Sequence, residues 1–408
     1  MRRYRWSLAA GVAAALLVPS GPGRAQTVED RLKALEKTVA DQGKTLTEKL
    51  GVEVHGVLST EANYNFNSPD SDTNQIHVFD EDANTFSLYQ ANINVQRNVP
   101  EGFGFNVDVD FGKVAEVVGR ATWWSNNLNS TESRNSVELR QAYVKYAFGG
   151  TPFSFMAGKF VTLHGVEVIP AYNNQNYNIS NSINFGYAIP FTHTGLMGTY
   201  AFPETWGSLT LGVVNGWDDV VDNNDGKSVH GALSLTPPGS IFSFSLASMY
   251  GPEQQDNGRS KRFLVTPIVT AKPLDHWTFV LEGNYGNESN VKLVNGALDA
   301  TPSTPGNSAW YGMAGYAVWA PAERWQVALR TEYFGDPDGV RTLYQQPGGD
   351  GPGVGIWEAT LTPAYKIIDG LWLRAEYRHD EADKKYFENG SNMVKGQDII
   401  ETQLVYTF

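Results

Sequence analysis

From Gly51 to Phe408 the hydrophobicity of the chain alternates with period two. Phe103, Phe105, Val107, Val109 and Phe111 interleave with Gly104, Asn106, Asp108 and Asp110. Trp325, Val327, Leu329, Thr331 and Tyr333 interleave with Gln326, Ala328, Arg330 and Glu332, and Leu371, Leu373, Ala375 and Tyr377 flank Arg374, Glu376 and Arg378. On a β-strand this period sets an apolar face against a polar one. A soluble sandwich shows the same alternation, so the period alone leaves two architectures open.

The connections separate them. Strands are expected near 52–66, 85–97, 103–112, 137–148, 152–161, 190–202, 206–217, 228–236, 241–250, 260–271, 276–286, 308–319, 324–334, 356–366, 371–379 and 398–408. Short turns such as Val99-Pro100-Glu101, Gly149-Gly150, Pro237-Pro238-Gly239 and Ile368-Asp369-Gly370 alternate with long polar loops such as 67–84, 113–135, 162–189, 335–355 and 380–397. Tight periplasmic turns alternating with long extracellular loops are the pattern of an outer-membrane barrel, and a sandwich has no reason to keep it. The expectation is an all-β fold, a transmembrane antiparallel β-barrel of about sixteen strands. Fourteen or eighteen also fit, because 228–236 and 241–250 are short and 178–186 is a candidate extra strand.

Composition narrows the class further. Mean hydropathy is −0.33 and no apolar run of about 20 residues follows the extreme N-terminus, which excludes a helical membrane protein. No cysteine is present, so a disulfide scaffold, a thiolate metal site and a Cys nucleophile are excluded. Trp206, Trp277, Trp319, Trp325 and Trp372 lie beside short turns and are expected in one periplasmic aromatic girdle. The last strand ends on Tyr406-Thr407-Phe408, and a terminal Phe resembles the signal read by the barrel assembly machinery.

Residues 1–25 read as a cleaved signal peptide. Arg2, Arg3 and Arg5 precede the apolar run Leu8 to Val18, with Gly23 and Ala25 at the cleavage positions. Its removal takes Arg2, Arg3, Arg5 and Arg24, moving the formal charge from −13 to −17. An acidic exported chain argues against nucleic acid as a partner. Residues 26–50 are expected to form a periplasmic helical leader, with Val28, Leu32, Leu35, Val39, Gln42 and Leu46 at heptad spacing. An oligomerisation stalk favouring a trimer and a loosely docked helix are both open. The barrel takes 51–408.

The polar face is the candidate site. Glu53, Glu61, Asn92, Asn94, Asp108, Asp110, Arg262, Glu282, Arg330, Glu332, Glu358, Arg374, Glu376, Arg378 and Glu401 are expected to line the pore. About sixteen strands leave a lumen, and so many charges of both signs are expected to need solvent. The loop 162–189 follows the fifth strand and carries Glu167, Tyr172, Asn173, Asn174 and Tyr177; folded inward it would constrict the pore. In position it resembles the constricting loop of enteric general porins, but it has one carboxylate rather than an acidic cluster. Arg330, Arg374 and Arg378 suggest a basic strip, while acidic outer loops favour weak cation preference. Asp218, Asp219, Asp222 and Asp225 offer hard oxygens, yet without the spacing of an EF-hand they read better as a solvated turn.

Gly158-Lys159-Phe160, Tyr187-Ala188-Ile189-Pro190-Phe191-Thr192-His193-Thr194-Gly195, Val214-Asn215-Gly216-Trp217-Asp218, Asp222-Asn223-Asn224 and Val54-His55-Gly56 resemble motifs of the beta-barrel porin-2 (OmpL-like) family. The resemblance implies an outer-membrane porin. It supplies neither a solute nor selectivity residues. The leader is similar in style to the stalks of some trimeric porins. No cofactor or metal is expected; the partners are outer-membrane lipid and small hydrophilic solutes. A barrel enzyme lacks support, with no G-x-S-x-G or H-E-x-x-H and seven His that are expected to form no close pair. A structural or adhesive barrel with a closed lumen is the other reading.

Overall fold

The computed structural model describes residues 33–34, 37–38, 50–121, 136–173, 175–294, 297–299, 306–344 and 353–408. The signal segment and most of the leader lie outside the described residues. So does Asn174.

Sixteen antiparallel strands close into one barrel. They are β1 (Glu53–Asn65), β2 (Phe86–Arg97), β3 (Gly102–Phe111), β4 (Val137–Ala147), β5 (Phe153–Val161), β6 (Thr192–Ala201), β7 (Gly207–Val214) and β8 (Ser228–Leu235), followed by β9 (Phe242–Gly251), β10 (Arg262–Ala271), β11 (Trp277–Ser289), β12 (Asn307–Ala322), β13 (Trp325–Asp336), β14 (Val354–Ile368), β15 (Leu371–Ala382) and β16 (Gly396–Thr407). Seven short and eight long connections alternate around it. Segment 178–186 is no strand; it ends in a π-helical turn, Asn184–Ala188.

The sheet is turned inside out relative to a soluble protein. Leu58, Ile93, Phe103, Val144, Leu211, Leu281, Met313, Leu361 and Leu404 face outward and are exposed, while the alternating polar residues are buried within. In lipid this sidedness is obligatory, and so is closure, since an open edge would leave peptide groups unpaired in hydrocarbon. The seam is β1 on β16, from Val57 opposite Thr407 to Asn65 opposite Ile399.

Trp206, Trp319 and Trp325 are exposed on the outer surface, and Trp277 stacks on Trp319 at 6.1 Å. Trp372 departs from the expected girdle. It shares the parity of Arg374 and Arg378 and sits opposite Val405, which is 3% exposed, so it faces the lumen at the periplasmic mouth.

The extracellular half of the barrel is packed rather than open. The segment 66–85, the short helix α1 (Lys113–Gly119) and the returning part of the 162–191 loop bring Val78, Phe79, Val114, Val117, Val118, Phe185 and Phe191 onto inward-facing Tyr89, Trp310, Phe334 and Ile356. Two further hairpins pair Lys292–Val294 with Ala297–Asp299 and Phe387–Asn389 with Asn392–Val394, and the second buries Phe387 in the same cluster.

Candidate functional site

The loop joining β5 to β6 runs across the lumen, and its course is set by hydrogen bonds to the wall. At its start His164 Nδ1 meets Thr266 Oγ1 at 2.8 Å, and Val166 N donates to Glu282 Oε2 at 2.8 Å. It then reaches the opposite side. There Gln90 Nε2 and Arg140 Nη1 donate to Pro170 O at 2.9 and 2.6 Å, and Tyr172 stacks on His55 with ring centres 3.8 Å apart. Returning, it lies along β13, β14 and β15. Arg374 Nη2 donates to Asn176 O at 2.8 Å, Asn178 Nδ2 to Thr362 Oγ1 at 2.7 Å, and Ile183 N and Asn184 N to Glu332 at 2.6 and 3.0 Å.

This geometry changes how the lumen charges are satisfied. Open solvent was expected around them; the structure buries them against loop backbone and against one another. Arg330, 0% exposed, donates to Glu167 Oε1 at 2.7 Å, to Ser180 O at 2.7 Å and to Glu358 Oε1 at 2.8 Å. Arg378 donates to Asp380 Oδ1 and Asn181 O at 2.9 and 2.7 Å. Glu376 accepts Ser180 N at 2.9 Å and the Ile179 N–H. The three arginines are therefore a clamp on the loop rather than an open basic strip.

The other candidates divide by position. Glu53 is exposed at the periplasmic end, where it accepts from Gln96 Nε2 at 3.1 Å. Asp108 and Asp110 pair with Arg140 at 3.1 and 3.3 Å. Asn92 donates to Asp110 at 2.8 Å and Asn94 to Asp108 at 3.0 Å. Arg262 belongs to the extracellular rim, bound to Glu288 at 2.7 Å and lying 4.8 Å over the Trp217 ring. Glu61 and Glu401 are buried at the β1–β16 seam. Of the loop residues, Glu167 is the anchor, also accepting Ser182 N at 2.7 Å and Asn181 Nδ2 at 3.0 Å. Tyr177 packs beside Tyr316 at 6.5 Å, and Asn173 is exposed.

Sequence reading missed two groups. Arg140 and Glu138 alternate with Val137 and Leu139 on β4, so parity held a usable signal; the register shift opposite Asp108 and Val109 interrupts it further along. Three histidines distant in sequence meet inside the barrel. His164 and His230 stack at 5.1 Å and His193 lies 4.4 Å from His230, all of them buried. No spacing rule reveals that set, because its members lie on a loop and on two separate strands.

The family-like segments come together in one clasp. Asp218 Oδ1 accepts Phe191 N at 2.7 Å and Thr192 N at 2.8 Å, and His193 Nδ1 meets Gly216 O at 2.9 Å. Asp218 is 5% exposed, so the acidic run is not simply a solvated turn. Lys159 pairs with Glu138 behind the fifth strand. Gly158, at φ 137°, lies where a Cβ would come 2.2 Å from Ala142 O.

Solved outer-membrane proteins share this architecture. An anion-selective porin from Comamonas acidovorans is 9% identical over 88% of this chain and 99% of that one, with a TM-score of 0.56. The outer membrane channel DcaP of Acinetobacter baumannii is 13% identical over 88% and 97%, at 0.53. The trimer form of OmpT from Vibrio cholerae is 11% identical over 88% and 99%, at 0.50. At these identities the likeness establishes the barrel fold. No curated protein sequence matches the chain. Residues 51–408 match the family described as Putative beta-barrel porin-2, OmpL-like, and the chain belongs to that family of outer-membrane porins.

Proposed function

We propose that the barrel is a passive channel for small hydrophilic solutes and ions, throttled by the 162–191 loop. The observation that carries this reading is the asymmetry of the lumen. The loop is bonded to β13, β14 and β15 through Glu332, Glu376 and the three arginines. The β2 wall keeps acceptor oxygens without a hydrogen-bond partner among the described residues, including Gln90 Oε1, Asn92 Oδ1 and Asn94 Oδ1. Buried polar groups of this kind call for water or a passing solute. Acceptor oxygens dominate the strip, so the passage prefers cations over anions.

Purified protein in a planar bilayer tests both statements. Stepwise ohmic conductance with a cation-selective reversal potential in a salt gradient is expected, and folded protein that never conducts would overturn the channel. That silent outcome belongs to the second reading, a structural barrel with a closed lumen, which the apolar packing of the extracellular half favours. Neither reading assigns catalysis to the chain. Residues 1–25 act as a cleaved export signal, Phe408 as the assembly signal, and three copies associate in the membrane. A trimer among the similar structures supports the last point, and cross-linking of membrane-embedded protein tests it.

A further inference from the structure

At the seam where the barrel closes, Glu61 on β1 lies diagonal to Glu401 on β16, with Glu61 opposite Gln403 and Glu401 opposite Asn63. Diagonal partners on one face are neighbours within reach of long side chains. The segment 66–85 brings Asp80 down onto the pair, and Glu401, Asp80 and His77 offer ligand atoms within 4.8 Å of one another. All three carboxylates are at least nineteen-twentieths buried, at 4%, 2% and 3% exposure for Glu61, Glu401 and Asp80.

Among the described residues, both oxygens of Glu61 have no hydrogen-bond partner, and Glu401 and Asp80 meet each other as two carboxyls that can bond only by sharing a proton. Ser59 Oγ, two residues before Glu61 on the same face and 2% exposed, is also unpartnered. The neighbouring cations make their hydrogen bonds elsewhere and reach Glu61 and Glu401 only through space. His77 spends Nδ1 on Asp80 Oδ2 and Nε2 on Asp380 Oδ2. Lys113 is held by Asp82 and Glu116, and Arg374 bonds Gln403 Oε1 and Asn176 O. Glu61 and Glu401 each meet Asp80 as a like charge. Carboxylates gathered out of water with no positive partner are strongly disfavoured. His77 offsets Asp80 alone and Arg374 acts on Glu61 and Glu401 only through space, so their oxygens need a shared proton or a bound counter-ion.

We propose that a hard divalent cation of the Ca²⁺ class binds between Glu61, Glu401 and Asp80, with Ser59 Oγ and water completing an all-oxygen shell. Both His77 nitrogens face carboxylates, which removes the nitrogen ligand that a borderline metal would favour. Bound there, the cation ties the 66–85 segment to the barrel seam. The site stands whether or not the channel conducts.

The test uses the full barrel in detergent, stripped with chelator and titrated with Tb³⁺ and then Ca²⁺. Tyr89 interacts with Glu61, Asp80 and Glu401 and serves as the sensitiser of Tb³⁺ luminescence. One saturable equivalent of Tb³⁺, displaced by Ca²⁺, is expected. The double variant E61Q/E401Q should weaken binding at least roughly tenfold, the lower end of what losing even an outer-shell partner costs a metal site, and Asp222→Asn in a distant loop should leave it unchanged. If the double variant does not fold, as judged by heat-modifiable migration, Glu61→Gln alone carries the comparison. Folded wild-type protein that takes up no equivalent of either ion would overturn the site and leave shared protons to hold the carboxylates. Binding undiminished in a folded variant would overturn it equally.

Discussion

Arg330 on β13 donates through Nη1 to Oε1 of Glu167 at 2.7 Å, and this pair fastens the lumen-crossing loop to the wall. The same guanidinium holds Glu358 at 2.8 Å, and none of the three groups is more than 4% exposed. Removing one partner of a buried ion pair leaves the other charge uncompensated, at a cost of about 3–5 kcal/mol. Arg330→Ala should therefore lower the denaturant midpoint and add large open-state fluctuations to single-channel records. A variant with wild-type midpoint and quiet traces would show that the pair does not hold the loop.

The loop as a whole should act as a throttle. Replacing residues 168–184 by a short Gly-Ser linker removes the contacts to Glu332, Glu376, Arg374 and Arg378 while keeping β5 and β6. Conductance and the size limit for uncharged sugars should both rise. Unchanged conductance would remove the constriction role, since the deleted segment carries the bonds that bridge Gln90 and Arg140 on one wall to Arg374 and Glu332 on the other.

The strands were legible because lipid enforces sidedness: an apolar residue at the wrong parity on β3 or β13 faces water, and a polar one faces hydrocarbon. The inward loop was legible in position, from its length and its Asn and Tyr content. What the sequence did not disclose is who satisfies whom. Glu376 finds the backbone of Ile179 and Ser180 nearly two hundred residues away in sequence, a pairing that depends on how the loop crosses a closed sheet. The lumen therefore read as wet when much of it is packed. Trp372 shows the converse: its nearness to a turn suggested the girdle, while its parity with Arg374 decided otherwise. His164, His193 and His230 carried no local signal at all, because a loop and two strands had to close before they met.

Closure of the sheet rests on a second pair of residues. Gly56 and Phe408 exchange both backbone hydrogen bonds, at 3.0 and 3.1 Å, and a Cβ at Gly56 would lie 2.4 Å from the Phe408 ring and 2.8 Å from Asn92 O. The backbone at Asn92 cannot yield without breaking the β1–β2 ladder. Gly56→Val should therefore slow barrel closure and lower the yield of heat-modifiable protein, whereas removing Phe408 should impair assembly in cells more than refolding in detergent. Normal assembly of Gly56→Val would show that the seam tolerates a side chain.

The extracellular clasp should loosen as pH rises. Burial pushes Asp218 up to about 6, against the backbone N–H groups of Thr192 and Phe191 that favour its charged form. Burial likewise pushes Glu253 up to about 7, against the attraction of Arg262, and Glu253 Oε2 accepts Trp217 N at 2.6 Å. A carboxyl whose folded pKa is raised contributes stability that is full below its unfolded value near 4 and is lost as pH climbs through the folded value. The segment 215–227 should thus be most protected at and below about pH 4 and progressively less so from there up to pH 6 to 7. Hydrogen exchange of that segment at pH 4 and pH 8, corrected for intrinsic rates, measures the difference. Asp218→Asn, which cannot ionise, should remove the part of the decline that is complete by about pH 6 and leave the Glu253 part, which continues to about 7. A profile that is already flat in the wild type would show that these buried carboxyls do not control the clasp.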